Sequence, residues 1–359
     1  MMAGPARLRA GPADRTHVPG AVMTSGETEE PIDAVIAWVD GSDPNHAARR
    51  AAALKSSHAF NAPKDALAKT RFSDSGEIYY CIASILKYAP FVRRIYIVCD
   101  QQQPPLMDAF ADAGLCGPDR IVAVDHRTIF RGYESSLPTF NSRTIETMIW
   151  RVPDLSNLFI YFNDDFFINR PLAISEFIGA DGRAIIHGQS HIVWPWALKY
   201  YVREKIYRML GKSQSPRFTA AQVRAAQILD LRRYLTIDHT PHLLSIDIFE
   251  EFFSAHPDIL LDQISYQFRN ISQFRPAALW NHIALITDRA RLEPIQPSAF
   301  LHPGRDQAAA LNMISRDATA FGCIQSFDLF SAAERARIRR NMANKFSGYM
   351  PSVIASALE

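Results

Sequence analysis

With 359 residues, 48% of them apolar and 21% charged, the chain has the composition of an ordinary folded protein with a sizeable core, and disorder, collagen and coiled coil are excluded as whole-chain descriptions. A formal charge of +2 argues against a dedicated nucleic-acid binder, which is usually far more basic. Cys81, Cys99, Cys116 and Cys323 fall at irregular spacings without a Cys-x-x-Cys pair, which argues against a zinc site or a disulfide scaffold and for a reducing, cytoplasmic setting.

Residues 1–30 are rich in Ala, Gly, Pro and charge and lack the apolar stretch of a secretory signal, so a disordered leader is expected, with Met23 as an alternative start. No apolar run of roughly 18 residues suggests a membrane span. The first strand is expected over Asp33–Val39, closing on the tight turn Asp40-Gly41-Ser42-Asp43-Pro44. Residues 45–70 read as a helix and a connecting loop. Asp74 followed by Glu77 has the form of a capping box, which predicts a helix through Ile78, Ile82, Ile85 and Leu86 that ends before Pro90.

Arg94–Asp100 and Arg120–His126 repeat the design of an apolar, β-branched strand that closes on an acid. Leu158–Phe162 repeats it again and runs straight into Asn163-Asp164-Asp165. Four such strands separated by helical stretches predict a mostly parallel sheet. Acids at the carboxyl ends of its strands stand where open α/β sheets bind ligands. Two adjacent carboxylates repel, and a divalent ion on phosphate oxygens would offset that repulsion; the plainer reading is a turn cap. Asn141 caps the helix before the fourth strand and leaves Arg143 in its first turn, which opposes the helix dipole unless an anion lies between them.

From Lys199 to Arg233 nine basic residues face two acids, with Tyr200, Tyr201, Tyr207, Phe218 and Tyr234 among them. The run reads as a solvated face or as a contact for an anionic partner. No nucleic-acid motif accompanies it. His239, beside the turn fixed by Pro241, is placed to act as a base. Arg269 and Arg275 lie in a polar stretch before an apolar helix. The last stretch, Ala332–Ser356, reads as a basic amphipathic helix broken at Gly348 and Pro351, which touches a membrane surface or closes the domain.

The segment Ile32–Pro44 resembles the first block of the Stealth family of sugar-1-phosphate transferases. The second block is similar to Arg71–Leu172, through Arg71-Phe72-Ser73-Asp74-Ser75-Gly76-Glu77, Leu137-Pro138-Thr139-Phe140-Asn141-Ser142 and Asn163-Asp164-Asp165. A third resembles His239-Thr240-Pro241-His242 through His282, and a fourth, weaker, lies around Phe321–Phe346. Ser75 stands where the family commonly has Asn, Arg143 where it often has His, and the fourth block lacks the usual Asn-Asp pair. Several blocks in order are far more specific than any one.

The resemblance implies a Rossmann-like α/β fold of glycosyltransferase-A-like character, mostly parallel, with a helical basic insert. Its expected parts are a leader (1–30), a nucleotide-sugar core (31–183), the insert (184–236), the rest of the catalytic domain (237–346) and a tail (347–359). The implied reaction passes a sugar with its β-phosphate from a nucleotide-diphosphate sugar, UDP-linked by expectation, to a glycan hydroxyl, and releases a nucleoside monophosphate. Asp164, Asp165 and Asp43 would hold Mg²⁺ or Mn²⁺. Arg71 and Arg269 would stabilise charge on the breaking P–O bond. His239 would be the base, with His242 second to it, while Asp40, Gly41, Asp74 and Asn141 would seat nucleotide and sugar and Arg143 would lie near the diphosphate. The insert would then bind an anionic glycan acceptor, and the enzyme would sit in the cytoplasm, peripheral at the inner membrane face. Two alternatives stand beside this reading: a metal-dependent glycosyltransferase moving the hexose alone, and a non-catalytic sugar-nucleotide or polysaccharide binding protein.

Overall fold

Two residues that leave the main sheet side by side, Trp38 and Asp164, mark where the molecule opens. The computed structural model describes residues 30–55, 68–209 and 218–358, apart from the side chains of Lys69, Glu204 and Arg208. The expected leader before residue 30, most of the loop before residue 68, and Lys212 and Arg217 of the basic run lie outside the described residues.

The first half alternates strand and helix as its hydrophobic pattern predicts. β1 (Ile32–Ala37) is buried along its length and leads through the Asp40–Asp43 turn to α1 (Pro44–Lys55). Pro44, which has no N–H to leave unpaired, opens α1, and Asp43 Oδ1 accepts the His46 N–H at 2.7 Å. α2 (Glu77–Tyr88) is buried on nearly every side and precedes β2 (Val92–Cys99). A short α3 (Ala109–Asp112), β3 (Ile121–Asp125), α4 (His126–Ile129), α5 (Ser142–Met148) and β4 (Leu158–Asn163) complete this half.

The capping box expected at Asp74 does not form. Asp74 Oδ1 turns back to accept the Gly76 N–H, Glu77 accepts the Ser75 N–H at 2.8 Å, and the helix starts only at Glu77. Gly76 takes the N-cap at φ 91°, a left-handed conformation open to glycine. A Cβ there would fall 2.2 Å from Leu358 Cδ2, so the same position also admits the C-terminal helix.

The second half runs through β5 (Phe166–Ile168), β6 (Ala184–Ile192), α6 (Val193–Met209), α7 (Phe218–Ile228), β7 (Arg233–Ile237), β8 (His242–Ser245), α8 (Ile246–Ala255), α9 (Pro257–Ile264) and α10 (Pro276–Ile286). It ends with β9 (Ala290–Glu293), β10 (Ala299–Leu301), α11 (Gln307–Ser315), β11 (Phe321–Ile324), α12 (Ala332–Lys345) and α13 (Ser352–Leu358). In the stretch expected as an insert, residues 184–236, α6 and α7 lie between β6 and β7, and β6 also pairs with β9.

The main sheet has the order β3-β2-β1-β4-β8, with β8 antiparallel to the four parallel strands. The mostly parallel α/β sheet expected from the strand pattern is therefore found. From β1 the chain builds outward through β2 and β3 and then returns to β4 on the other flank. That reversal opens a crevice at the carboxyl ends of β1 and β4. Ala37 is in register with both Val98 and Asn163, which sets the ends of three strands at one rim.

At the opposite end Asp33 locks the same strands together. Its buried carboxylate accepts from Arg93 at 3.0 and 2.7 Å, from the Arg94 N–H, and from the amide and hydroxyl of Ser156. One buried cluster runs from Ile32 to Leu358. The expected basic C-terminal helix is two helices, and Ile338, Met342, Phe346, Ile354 and Leu358 are all inside this core. These residues close the domain, the second of the two roles expected of this stretch, while Val353 of α13 stays exposed. No described helix is long and apolar enough to cross a membrane.

Candidate active site

A cleft of about 900 Å³ opens at the rim where β1, β2 and β4 end. Asp164, Arg269, His239 and Arg71 all line it, although they come from four separate stretches of chain. Asp165, Asn141 and Arg143 line it too. Asp40, Gly41, Asp43, Asp74 and His242 do not.

These five instead shape the walls. Asp40 accepts from the Ser42 amide and hydroxyl, and Asp43 is occupied in capping α1. The expected role of Asp43 as a third metal ligand therefore lacks the placement it needs. A Cβ on Gly41 would lie 2.3 Å from Phe72 Cβ and 2.4 Å from its carbonyl oxygen, so this glycine lets the segment bearing Arg71 press against the end of β1. Asp74 serves the turn before α2. His242 opens β8, its Nε2 is 3.4 Å from Arg275 Nη2, and burial with the Arg275 charge holds it neutral, well below the usual imidazole range. Asn141 spends its polar atoms on the protein itself: its oxygen accepts the Arg143 N–H, and its amide donates to Tyr266 O and Gln273 Oε1.

Carboxylates crowd one part of the cleft. Burial raises Asp164 far above the ordinary aspartate range, and Asp165, Glu77 and Asp74 add to the effect. Burial likewise pushes Glu77 up to about 8, with Asp74 and Asp165 contributing, despite amide N–H bonds that favour its anion. Asp165 Oδ1 is buried without a hydrogen-bond partner. Its Oδ2 accepts from the Cys323 thiol at 3.4 Å and lies 3.8 Å from His239 Nε2. Ligand atoms of Asp165, His239 and Cys323 fall within 4.8 Å of one another. A hard cation meets the chemistry of the adjacent Asp164 and Asp165 carboxylates rather than that of the thiol and imidazole: it would satisfy the orphaned Asp165 oxygen and favour the anions that burial and mutual repulsion disfavour.

Guanidiniums crowd another part. Burial, joined by the neighbouring Arg71 and Arg143 charges, lowers Arg269 to about 9. Arg143 is lowered to about 10 by burial and by Arg275 and Arg71, although Glu146 opposes the shift. Buried Arg275 stacks its guanidinium 4.4 Å from the centre of the Phe218 ring, and its Nε has no hydrogen-bond partner. Arg143 donates to Asn270 O at 3.0 Å, and Arg269 bonds the Ser142 hydroxyl. Desolvated, mutually repelling cations that outnumber the acids beside them, Glu146 and Asp165, favour a multiply charged anion, and forked guanidiniums fit phosphate oxygens. Tyr161 lies between the two groups, feeling Asp164 on the one hand and Arg275 and Arg269 on the other.

Sequence reasoning missed several lining residues. Glu77 looked like half of a capping box, and Cys323, which meets Asp165 just behind the lining, stood out only as a cysteine with no paired spacing. Arg275, just before Pro276 at the start of α10, carried the same signal as Arg143, a cation at a helix N-terminus, and could have been found by it. Asp100 carried the signal of an acid that closes a strand, whereas His46 and His126 came with no signal of their own. The described α6 side chains, by contrast, do not line the cleft; among its described residues the insert reaches it only through Phe218 and Ala221 of α7.

Two family models match the chain: Stealth protein conserved region 1 over residues 30–58, and conserved region 2 over residues 71–186. The chain is a Stealth protein. The two regions supply the β1 rim, Arg71, Asn141, Arg143, Asp164 and Asp165. Among Stealth relatives, "Capsular polysaccharide phosphotransferase cps1A" of Actinobacillus pleuropneumoniae is 41% identical over 43% of this chain and 40% of its own length. "Exopolysaccharide phosphotransferase CpsY" of Mycobacterium leprae is 32% identical over 85% of this chain and 53% of its own. The chain spans about half the length of the curated relatives it matches. Among solved structures, the apo form of mouse xyloside xylosyltransferase 1 aligns with a TM-score of 0.41 and 9% identity, covering 82% of this Stealth chain and 97% of its own.

Proposed function

We propose that this chain transfers a sugar-1-phosphate from a nucleotide-diphosphate sugar to a hydroxyl of a glycan acceptor, forming a phosphodiester and releasing a nucleoside monophosphate. The single observation that carries the reading is the pairing, in one cleft, of a buried carboxylate group with a buried guanidinium group. A diphosphate bearing a divalent cation is the ligand whose charges complement both at once. The relatives named as capsular and exopolysaccharide phosphotransferases support the same chemistry.

Asp164 and Asp165 would hold the cation, Mg²⁺ or Mn²⁺ by the oxygen-rich donor set. When bound, it would neutralise charge on the pyrophosphate oxygens. Arg71, Arg143, Arg269 and Arg275 bind and orient the phosphates and stabilise charge that grows on the breaking P–O bond. His239, packed edge-on against Phe166 and near Asp165, takes the proton of the attacking acceptor hydroxyl at Nε2. As the new O–P bond forms at the β-phosphorus, the bond to the nucleoside monophosphate breaks and its oxygen carries the electron pair away. UDP is the proposed nucleotide carrier, and an anionic glycan is the proposed acceptor.

Incubating purified chain with Mg²⁺, a panel of UDP- and GDP-sugars and a short oligosaccharide tests the proposal. Release of nucleoside monophosphate with phosphorus retained in the glycan is the expected result. Nucleoside diphosphate release would instead mean hexose transfer, and tight binding without turnover would mean a binding protein.

A further inference from the structure

The exposed face of α6 is unlike the rest of the surface. Fourteen large apolar side chains are exposed among the described residues, and seven of them, Ile192, Trp194, Leu198, Tyr201, Val202, Ile206 and Met209, fall in this one stretch. Trp194 is 67% exposed and Met209 87%. From Trp194 onward they recur at three- and four-residue spacing, so they share one side of the helix along about 22 Å. The other side is already used: Trp196, Ala197 and Tyr200 pack on Val193, Val223, Ala226 and Tyr234. The helix is thus fixed to the domain while its apolar stripe faces outward.

We propose that α6 lies in the surface of an anionic lipid bilayer and docks the domain there. Charge selects this occupant. Lys199, Arg203 and Lys205 stand on the helix, and the exposed Arg232 and Arg233 sit at its base, where Ile192 pairs with Arg233. Lys199 and Lys205 lie over the rings of Trp196 and Tyr201, at 4.7 Å in both cases, so each ammonium is held beside ring surface as at a membrane interface. An apolar stripe flanked by lysine and arginine, with tryptophan at one end, matches a helix that lies in the headgroup layer. A glycan fits less well, because Leu198, Val202, Ile206 and Met209 offer nothing to sugar hydroxyls and the described α6 side chains do not line the cleft. The supporting helix α7 begins at Phe218 in the cleft wall, so the docked face and the cleft share one support.

Flotation of the full chain with vesicles tests this. Vesicles of mixed phosphatidylglycerol and phosphatidylcholine are expected to carry the chain up the gradient, pure phosphatidylcholine vesicles to carry little, and high salt to reduce the bound fraction. Trp194→Ser combined with Leu198→Ser and Ile206→Ser should lower binding about tenfold or more, by loss of apolar burial. Lys199→Glu with Lys205→Glu leaves the apolar residues in place and should lower binding about tenfold as well. Both variants should keep the thermal melting curve of the parent. No flotation with anionic vesicles, equal flotation with neutral ones, or unchanged binding by either folded variant would overturn the proposal. So would light scattering that shows a dimer dissociated by the serine substitutions, since the stripe would then face a second copy.

Discussion

His239 Nε2 lies 3.8 Å from Asp165 Oδ2, which brings the loop after β7 to the loop after β4 at the mouth of the sheet. The approach sets the imidazole beside the carboxylate group on the lining of the cleft, within reach of a ligand bound there. His239→Ala is expected to lower turnover by about 10² to 10⁴ while donor affinity changes little. Initial rates of nucleotide release, set against the dissociation constant for the sugar nucleotide, check this. Turnover close to the parent's would remove His239 from the chemistry.

Arg269 is buried among like charges, so its removal should relieve the free protein and harm the bound one. Arg269→Met is expected to stabilise the ligand-free chain by about 1–3 kcal/mol in urea unfolding. The same change should weaken sugar-nucleotide binding about tenfold or more through loss of charge-assisted bonds. A destabilised variant that binds normally would make Arg269 a purely structural residue.

Asp164 makes the converse case for the cation. The parent's melting temperature is expected to rise with Mg²⁺ and to fall back with a chelator, the gain reaching about 2.7 kcal/mol at a hundredfold excess over the dissociation constant. Asp164→Asn should melt at or above the parent without the ion, because the cost of taking up a proton to bury this acid is gone, and should lose most of the response. A full Mg²⁺ response in the variant would place the ion elsewhere.

Asp33 governs acid stability from the far end of the sheet. Burial alone would raise its carboxyl, but Arg93 and the Ser156 amide and hydroxyl outweigh burial and hold it below the ordinary value of 3.8. The unfolded chain therefore binds the proton more readily than the folded one, and stability rises with pH in that window. The contribution is fully present above about pH 4 and is lost as pH falls through the lowered native value. Asp33→Ala should cost about 3–5 kcal/mol at neutral pH, since it leaves donors buried without an acceptor, and should flatten the acid limb of urea midpoints plotted against pH.

Local order was legible in the chain. The apolar, β-branched runs at Ile32–Ala37, Val92–Cys99, Ile121–Asp125 and Leu158–Asn163 announce strands because fully buried strands admit little else. Asn141 announces its cap because its side chain replaces a backbone partner one turn away; it accepts the Arg143 N–H. The Asp74–Glu77 pair misled because the same short polar side chains also close tight turns, and a distant residue, Leu358, settled the matter by packing against Gly76.

The composition of the site was decided elsewhere. That Arg143, Arg269 and Arg275 share one desolvated pocket, that Cys323 meets Asp165, and that Asp43 is turned away to cap a helix depend on contacts between segments far apart in the chain. No periodicity encodes such contacts, because side-chain spacing reports which face of an element is buried, never which other element covers it. The sequence by itself determined the strands, their parallel order of succession and the kinds of charged group at their ends. The tertiary structure decided which of those charges lie close enough, and dry enough, to act on one ligand.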